Sequence, residues 1–66
     1  MGEKIKALRH EKRLNTKQLG EFLNVTDSQI SKWERDICEP KISNIKKLCE
    51  FFNITMEELW NDNIDI

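Results

Sequence analysis

Two helix starts near the middle of the chain lie so close together that they limit how the chain can fold. Asn15 with Gln18, and Thr26 with Gln29, each place a short polar side chain three residues before an amide side chain. Such a capping box satisfies backbone N–H groups that a helix start leaves free. The pattern predicts one helix over residues 16–23 and another soon after it, and so short a link makes the two helices cross steeply.

The residues around this link suit a tight helix–helix junction. Gly20 lies inside the first helix, where glycine costs about 1 kcal/mol relative to alanine, and its missing side chain lets the next helix approach closely. Asn24 stands where the chain must turn through the left-handed backbone region, which asparagine tolerates well. We therefore expect Val25 and Ile30 to return to the core after the turn.

Helical patterns cover the rest of the chain as well. Thr55 with Glu58 forms a third capping pair. Apolar residues at positions i, i+3, i+4 and i+7 form a stripe made of Ile45, Leu48, Cys49 and Phe52. No segment alternates like a β-strand. The predicted fold class is all-α, a compact bundle of five short helices over about residues 2–12, 16–23, 27–35, 42–52 and 56–61.

With 66 residues, the chain has room for one domain, spanning residues 1–66. None of its helices is long enough to be stable alone, so their apolar faces must pack together. The side chains expected to point inward are Ile5, Leu8, Leu19, Phe22, Leu23, Val25, Ile30, Trp33, Ile45, Leu48, Cys49, Phe52, Met56 and Leu59, with Trp60 as a further candidate.

The composition argues against several classes of function. There is one histidine, no Gly-rich phosphate loop and no plausible nucleophile–base pair, so we expect no enzyme and no cofactor. Cys38 and Cys49 lack metal-ligand spacing and are expected to be free thiols, with no metal site. No apolar run approaches the roughly 18 residues of a membrane span. We expect a soluble, cytoplasmic protein with no small-molecule effector.

Charge is divided unequally along the chain, although the net charge is only −1. All 11 Lys and Arg lie in residues 1–47 with seven acidic residues, which gives that part a charge of +4. Residues 48–66 hold five acidic residues and no Lys or Arg. A basic front can meet phosphate groups while an acidic rear faces elsewhere.

The third helix is the best candidate for a binding surface. If Ile30 and Trp33 anchor it, its outward face carries Asp27, Ser28, Ser31, Lys32 and Arg35. Short polar groups followed by cations are typical of a helix that enters the major groove of DNA. Lys32 is then expected to contact guanine, the alternative being a solvated lysine. Trp33 is expected to anchor the core rather than stack on a base.

These residues also carry a family resemblance. The run LNTKQLGEFLNVTDSQISKWERD, with IKALR before it and ITMEEL after it, resembles the XRE/Cro-like family of phage-repressor helix-turn-helix proteins. The resemblance covers nearly the whole chain. It implies a lambda-repressor-like domain of five helices in which a helix-turn-helix unit, about residues 16–35, binds duplex DNA. Many members bind two-fold operators as homodimers.

The resemblance implies roles for individual residues. The residues matching the base-contacting positions of the recognition helix are Asp27, Ser28, Gln29, Ser31 and Lys32. The expected phosphate contacts are Arg13, Thr16, Lys17, Thr26, Arg35, Lys41 and Asn44; for Arg13 and Lys17, plain surface solvation is an equal alternative. Arg9 and Glu34 match a structural ion pair that links the first helix to the end of the third.

The sequence departs from the family pattern at four positions. Gly20 replaces the usual alanine and Asn24 the usual glycine. Both meet the same steric requirements, which are a small residue inside the helix and a residue that tolerates the left-handed conformation. Lys41 stands where a small capping residue is more common, so Ser43 is an alternative cap for the fourth helix. Asp27 either accepts from a cytosine amino group or, as we favour, stabilises the helix start through the helix dipole.

We therefore expect a sequence-specific DNA-binding transcriptional regulator, and a repressor in particular. The alternative is a protein-interaction module on the same fold, such as an antitoxin-like subunit or an adaptor that uses the acidic rear. The dimer surface is open at this point. Trp60, Ile64 and Ile66 either mark a partner surface or belong to a chain end that frays or folds back on the core.

Overall fold

The chain folds into short helices joined by tight turns. The structure, a computed structural model, describes residues 1–60, and all regular structure in that range is α-helical. Its five helices are α1 (Gly2–Glu11), α2 (Thr16–Leu23), α3 (Asp27–Glu34), α4 (Ile42–Phe52) and α5 (Met56–Trp60). The all-α prediction is confirmed. Helices α1 and α3 end one residue earlier than predicted, and the predicted last residue of the fifth helix, Asn61, lies outside the described residues.

Two helix starts carry both bonds of the capping box. Before α2, Asn15 Oδ1 accepts from Gln18 N at 2.7 Å and Asn15 N donates to Gln18 Oε1 at 2.9 Å. Before α5, Thr55 Oγ1 accepts from Glu58 N at 3.0 Å and Thr55 N donates to Glu58 Oε1 at 2.9 Å. Local sequence therefore fixes where these two helices begin.

Helices α3 and α4 begin at the predicted residues, Asp27 and Ile42, but their N-terminal caps differ from those expected. Thr26 Oγ1 accepts from Gln29 N at 3.1 Å, but the reciprocal bond is not formed in the described structure, where Gln29 lines a cleft. Lys41 is the N-cap of α4 and makes no side-chain cap bond. Ser43, the alternative cap, lies inside the helix, so the first turn of α4 has no side-chain acceptor.

The core lies where the five helices of residues 1–60 meet. Its buried apolar side chains are Ile5, Leu8, Leu19, Leu23, Ile30, Trp33, Ile45, Leu48, Cys49, Phe52 and Leu59. Val25 and Met56 are half-buried and pack against this core. Trp60, a candidate for the core, is instead 45% exposed.

The prediction that Phe22 points inward is wrong. Its side chain is 63% exposed, and its ring stacks on that of Phe51 with 4.9 Å between centroids. The reason is geometric: α2 turns Leu19, Gly20 and Leu23 toward the core, and Phe22 lies about 100° around the helix from Leu23. It therefore falls at the edge of the buried face.

Helix α3 is held from two sides, by α2 and by α1, and contacts of α5 with α1 and α4 close the bundle. Gly2 lies against the C-terminal end of α3, where its N–H donates to Asp36 Oδ1 at 3.1 Å. A Cβ at Gly2 would lie 2.5 Å from the Glu34 carbonyl oxygen, so only glycine allows this approach. None of the helices in residues 1–60 has the length and apolar content that crossing a bilayer requires.

Candidate nucleic-acid interface

The turn between α2 and α3 sets how α3 is presented. Asn24 adopts the left-handed conformation, with φ 63° and ψ 42°. Val25 N then donates to Gly20 O at 2.8 Å, which closes the end of α2. A Cβ on Gly20 would lie 2.6 Å from Val25 O, so the absence of a side chain there permits the close approach. Both positions act as the sequence predicts.

Two buried side chains fix the orientation of α3. Ile30 is fully buried and Trp33 is 1% exposed. The opposite side of the helix is open, and the five residues matching base-contacting positions divide between two environments: Asp27, Ser28 and Lys32 are exposed, whereas Gln29 and Ser31 are half-buried. The helix thus presents short polar groups followed by a cation at the molecular surface.

An ion pair fastens the C-terminal end of α3 to α1. Arg9 Nε lies 2.6 Å from Glu34 Oε2, and Arg9 Nη2 lies 3.0 Å from Glu34 Oε1. The third guanidinium nitrogen, Nη1, donates to Leu14 O at 2.8 Å. Both side chains are nearly buried, at 10% and 7% exposed. All three nitrogens of Arg9 are engaged within the protein, so the geometry gives Arg9 a structural role.

The residues expected at phosphates fall into three groups. Arg13, Thr16 and Lys17 lie at the start of α2, and Arg35 lies at the end of α3, where its Nε is 3.4 Å from Ser31 O. Thr26, Lys41 and Asn44 are brought together around one open cleft of about 540 Å³, although α3 and α4 start 15 residues apart in the sequence. The cleft is completed by Val25, Gln29, Trp33, Cys38 and Glu39.

The cations on and after the outward face of α3 are available to a ligand. Within residues 1–60, neither Lys32 nor Arg35 takes part in an ion pair. Their charges are therefore not neutralised by an ion pair in the described structure, and the positive end of the α3 dipole lies at the other end of the same helix. The whole surface can attract a polyanion.

The cysteines lie in contrasting environments. Cys38 is exposed at the cleft, whereas Cys49 is buried. Burial raises the pKa of the Cys49 thiol, and the charge of Glu58 raises it further. No group of three His, Cys, Asp or Glu residues in the described part of the chain is arranged to hold a metal ion.

Sequence reasoning missed four residues of the cleft. Cys38 and Glu39 come into it through the loop between α3 and α4, and Val25 and Trp33, both expected in the core, also line it. Pro40, which lies in that loop, is buried, but nothing in the sequence indicates which side chains the loop turns toward α3. Only the packing of the loop reveals the cleft.

Comparison with known proteins agrees with this geometry. The family model HTH_3, described as helix-turn-helix, matches residues 5–59. The chain is similar to the HTH-type transcriptional activator BcrR of Enterococcus faecalis, with 40% identity over 57 residues. That match covers 86% of this chain but only 28% of the relative's length.

A solved structure shows the same fold. The P22 c2 repressor protein, crystallised in complex with synthetic operator 9T in the presence of Tl⁺, superposes with a TM-score of 0.84. The sequences are 31% identical, and the match covers 88% of each chain. Three observations indicate the same family: the fold, the left-handed turn at Asn24 and the family match over residues 5–59. The chain belongs to the helix-turn-helix family, in the XRE/Cro-like group.

Proposed function

We propose that this protein is a sequence-specific transcriptional regulator that binds duplex DNA and reads the major groove with α3. The observation that carries the proposal is that one side of α3 is buried in the core and the opposite side is exposed. Ile30 and Trp33 are buried, while Ser28 and Lys32 are exposed. A helix held so firmly can present side chains to base edges in one fixed register.

The exposed side chains of α3 suit different base contacts. Lys32 donates to guanine O6 and N7, which are the acceptors that a cation meets in the major groove. Ser28, Gln29 and Ser31 offer hydroxyl and amide groups that both donate and accept. Asp27 belongs to the first turn of α3 and acts on the helix dipole.

Phosphate contacts around α3 hold it in the groove. The start of α2 supplies Arg13, Thr16 and Lys17, the end of α3 supplies Arg35, and the cleft supplies Thr26, Lys41 and Asn44. Such contacts set the position of a protein on DNA without reading sequence. They make binding strongly dependent on salt.

The proposal extends to repression by a homodimer. Its support is the likeness to the P22 c2 repressor, which covers 88% of both chains; the match to the activator covers 86% of this chain and 28% of that relative. Trp60 on α5, which is 45% exposed, is the described residue that we assign to a self-complementary contact. Ile64 and Ile66 lie outside the described residues. On this proposal the protein binds operators in the cytoplasm. It acts without catalysis and without a small-molecule effector.

A protein-interaction module is the second candidate. Its support is the aromatic pair of exposed Phe22 and half-buried Phe51, which lies on α2 and α4 rather than on α3. An antitoxin-like subunit or an adaptor would use such a surface to hold a protein partner. It would not depend on Lys32.

Binding to duplexes selected from a random pool tests the proposal. Fluorescence anisotropy across a salt series measures the dissociation constant of the wild type and of the double variant Lys32→Ala, Arg35→Ala. We expect the double variant to lose at least about 30-fold in affinity, because it removes one base contact and one phosphate contact from each subunit.

The matched control is Lys46→Ala, which removes a charge from an exposed residue of α4 about 200° around that helix from Asn44. It should bind as the wild type does. No binding at low salt, or binding unaffected by loss of Lys32 and Arg35, would favour the interaction module instead.

A further inference from the structure

A row of three aromatic rings runs from the core to the surface between α2 and α4. The ring of buried Phe52 lies 5.1 Å from that of Phe51, which in turn lies 4.9 Å from that of Phe22. Phe22, at the outer end of the row, is 63% exposed. Because its ring stacks on the next one, Phe22 is held in place. A fixed, exposed aromatic ring is typical of a protein-contact surface.

Two ammonium groups are held beside this row. Lys12 Nζ lies 5.6 Å from the centroid of the Phe51 ring, a distance that suits a cation–π contact. Lys47, one turn before Phe51 on α4, donates from Nζ to Leu23 O at 3.3 Å. Neither lysine takes part in an ion pair within residues 1–60. Both charges are therefore open to a carboxylate of another molecule.

Two carboxylates border the same row. Glu21 precedes Phe22 on α2 and Glu50 precedes Phe51 on α4, each about 100° around its helix from the ring that follows. Both glutamates are exposed, and neither forms an ion pair in the described part of the chain. We call this surface the aromatic face. It combines two rings, two cations and two anions, and its residues are Lys12, Glu21, Phe22, Lys47, Glu50 and Phe51.

We propose that the aromatic face binds the same face of a second copy of this chain. A contact between identical surfaces around a two-fold axis must be complementary to itself. A face of one charge sign fails this requirement because like charges would meet. Equal numbers of cations and anions let the lysines of one copy lie against the glutamates of the other. A partner of one charge sign would be attracted by one pair and repelled by the other.

The aromatic face lies away from the groups proposed to contact DNA. Phe22 is six residues after Thr16 on α2, and Phe51 is seven residues after Asn44 on α4, so each ring lies about 10 Å along its helix from those groups. The face is also separate from the homodimer contact proposed at Trp60, which is on α5. A copy bound to DNA can therefore hold another copy through this face.

The size of the exposed ring predicts a weak contact. At 63% exposure, Phe22 offers roughly 100–150 Å², whereas stable complexes bury about 800 Å² on each partner. We expect a dissociation constant of the order of 0.1–1 mM. Copies held on one DNA molecule meet at effective concentrations of about a millimolar, so the contact forms there. This last step rests on the proposed function.

Backbone ¹H–¹⁵N NMR spectra of the full chain, recorded from about 0.02 to 2 mM protein, measure the contact without DNA. We expect the amide signals of Lys12, Phe22 and Phe51 to move together with concentration and to fit one dissociation constant. Sedimentation equilibrium of Trp60→Ala, which lacks the other proposed contact, should then give a monomer–dimer equilibrium.

Two variants separate the contribution of the rings from that of the charges. Phe22→Ser removes the exposed ring and should weaken association at least about tenfold. Glu50→Lys keeps both rings but leaves three cations and one anion on the face, so it should weaken association about threefold or more. The matched control is Lys46→Glu, which reverses the charge of an exposed residue about 140° around α4 from Phe51. It should associate as the wild type does, and the spectrum of each dilute variant shows whether it is folded.

These outcomes decide the self-contact whether or not the protein binds DNA. Signals that stay in place up to the highest concentration, or association unaffected by Phe22→Ser and Glu50→Lys, overturn it and leave the face to a partner of another kind. Signals that move only around Trp60 assign association to α5 and overturn it as well. If the wild type binds no duplex at any salt concentration, the proposed function fails, and the concentration series still decides the self-contact.

Discussion

The Arg9–Glu34 pair connects helices that are too short to be stable alone. It joins α1 to the last residue of α3 through two hydrogen bonds of 2.6 and 3.0 Å. A third bond from the same guanidinium reaches Leu14 O, in the link before α2. The Arg9 side chain thus connects α1, the link before α2 and the end of α3. It holds the end of the proposed recognition helix at a fixed distance from the rest of the bundle.

Removing one charge from this pair should therefore destabilise the domain. Glu34→Gln keeps the size of the side chain but leaves the nearly buried guanidinium of Arg9 without its counter-charge. We expect the free energy of unfolding to fall by about 2–3 kcal/mol, measured by urea denaturation followed by circular dichroism. Glu50→Gln, at an exposed site on α4, is the matched control. Equal transition midpoints for Glu34→Gln and the wild type would contradict a stabilising role.

At the level of helices, two asparagines end two elements in the same way. Asn24 follows α2 with φ 63°, and Asn53 follows α4 with φ 58°. In both places the next backbone N–H turns back to the helix, from Val25 to Gly20 O and from Ile54 to Cys49 O. Each asparagine lets the chain reverse while the helix end stays hydrogen-bonded.

The left-handed conformation predicts how these positions respond to substitution. Asn24→Gly should leave stability unchanged or raise it, because glycine enters this region without a steric penalty. Asn24→Val should cost about 1–2 kcal/mol, because its Cβ and branched chain oppose that conformation. Chemical denaturation of both variants checks the difference. The same pair at Asn53 tests whether the cost follows the conformation rather than the site, and a Val variant as stable as the Gly variant would refute the steric argument.

The helices that could be predicted from sequence are those whose signals are local. The start of α2 follows from a capping pair, and the body and end of α4 follow from an apolar stripe. Both signals need only neighbours along the chain. The orientation of Phe22 depends on which part of a two-turn helix meets the core, and the cleft at Trp33 depends on how the loop after α3 packs. Neither is encoded within a single segment, so only the assembled bundle shows them.

Charge is the property that belongs to the whole molecule. Lys and Arg occur only in residues 1–47, whereas residues 48–66 add five acidic residues. The described acidic residues of this second part, Glu50, Glu57 and Glu58, are exposed on α4 and α5. A net charge of −1 therefore conceals an uneven charge distribution, and the proposed DNA binding would depend on a limited number of cations rather than on overall attraction.

The salt dependence of DNA binding should show how many of those cations contact phosphate groups. Each phosphate contact contributes about 0.9 to the slope of log K against log salt concentration. Lys41→Gln should therefore reduce the slope by about one contact for each bound subunit, because Lys41 lies at the cleft beside the start of α4. Lys46→Gln removes the same net charge on another side of α4 and should leave the slope unchanged, measured by anisotropy titrations between low and moderate salt. Equal slopes for the two variants would mean that total charge, and not the placement of Lys41, governs binding.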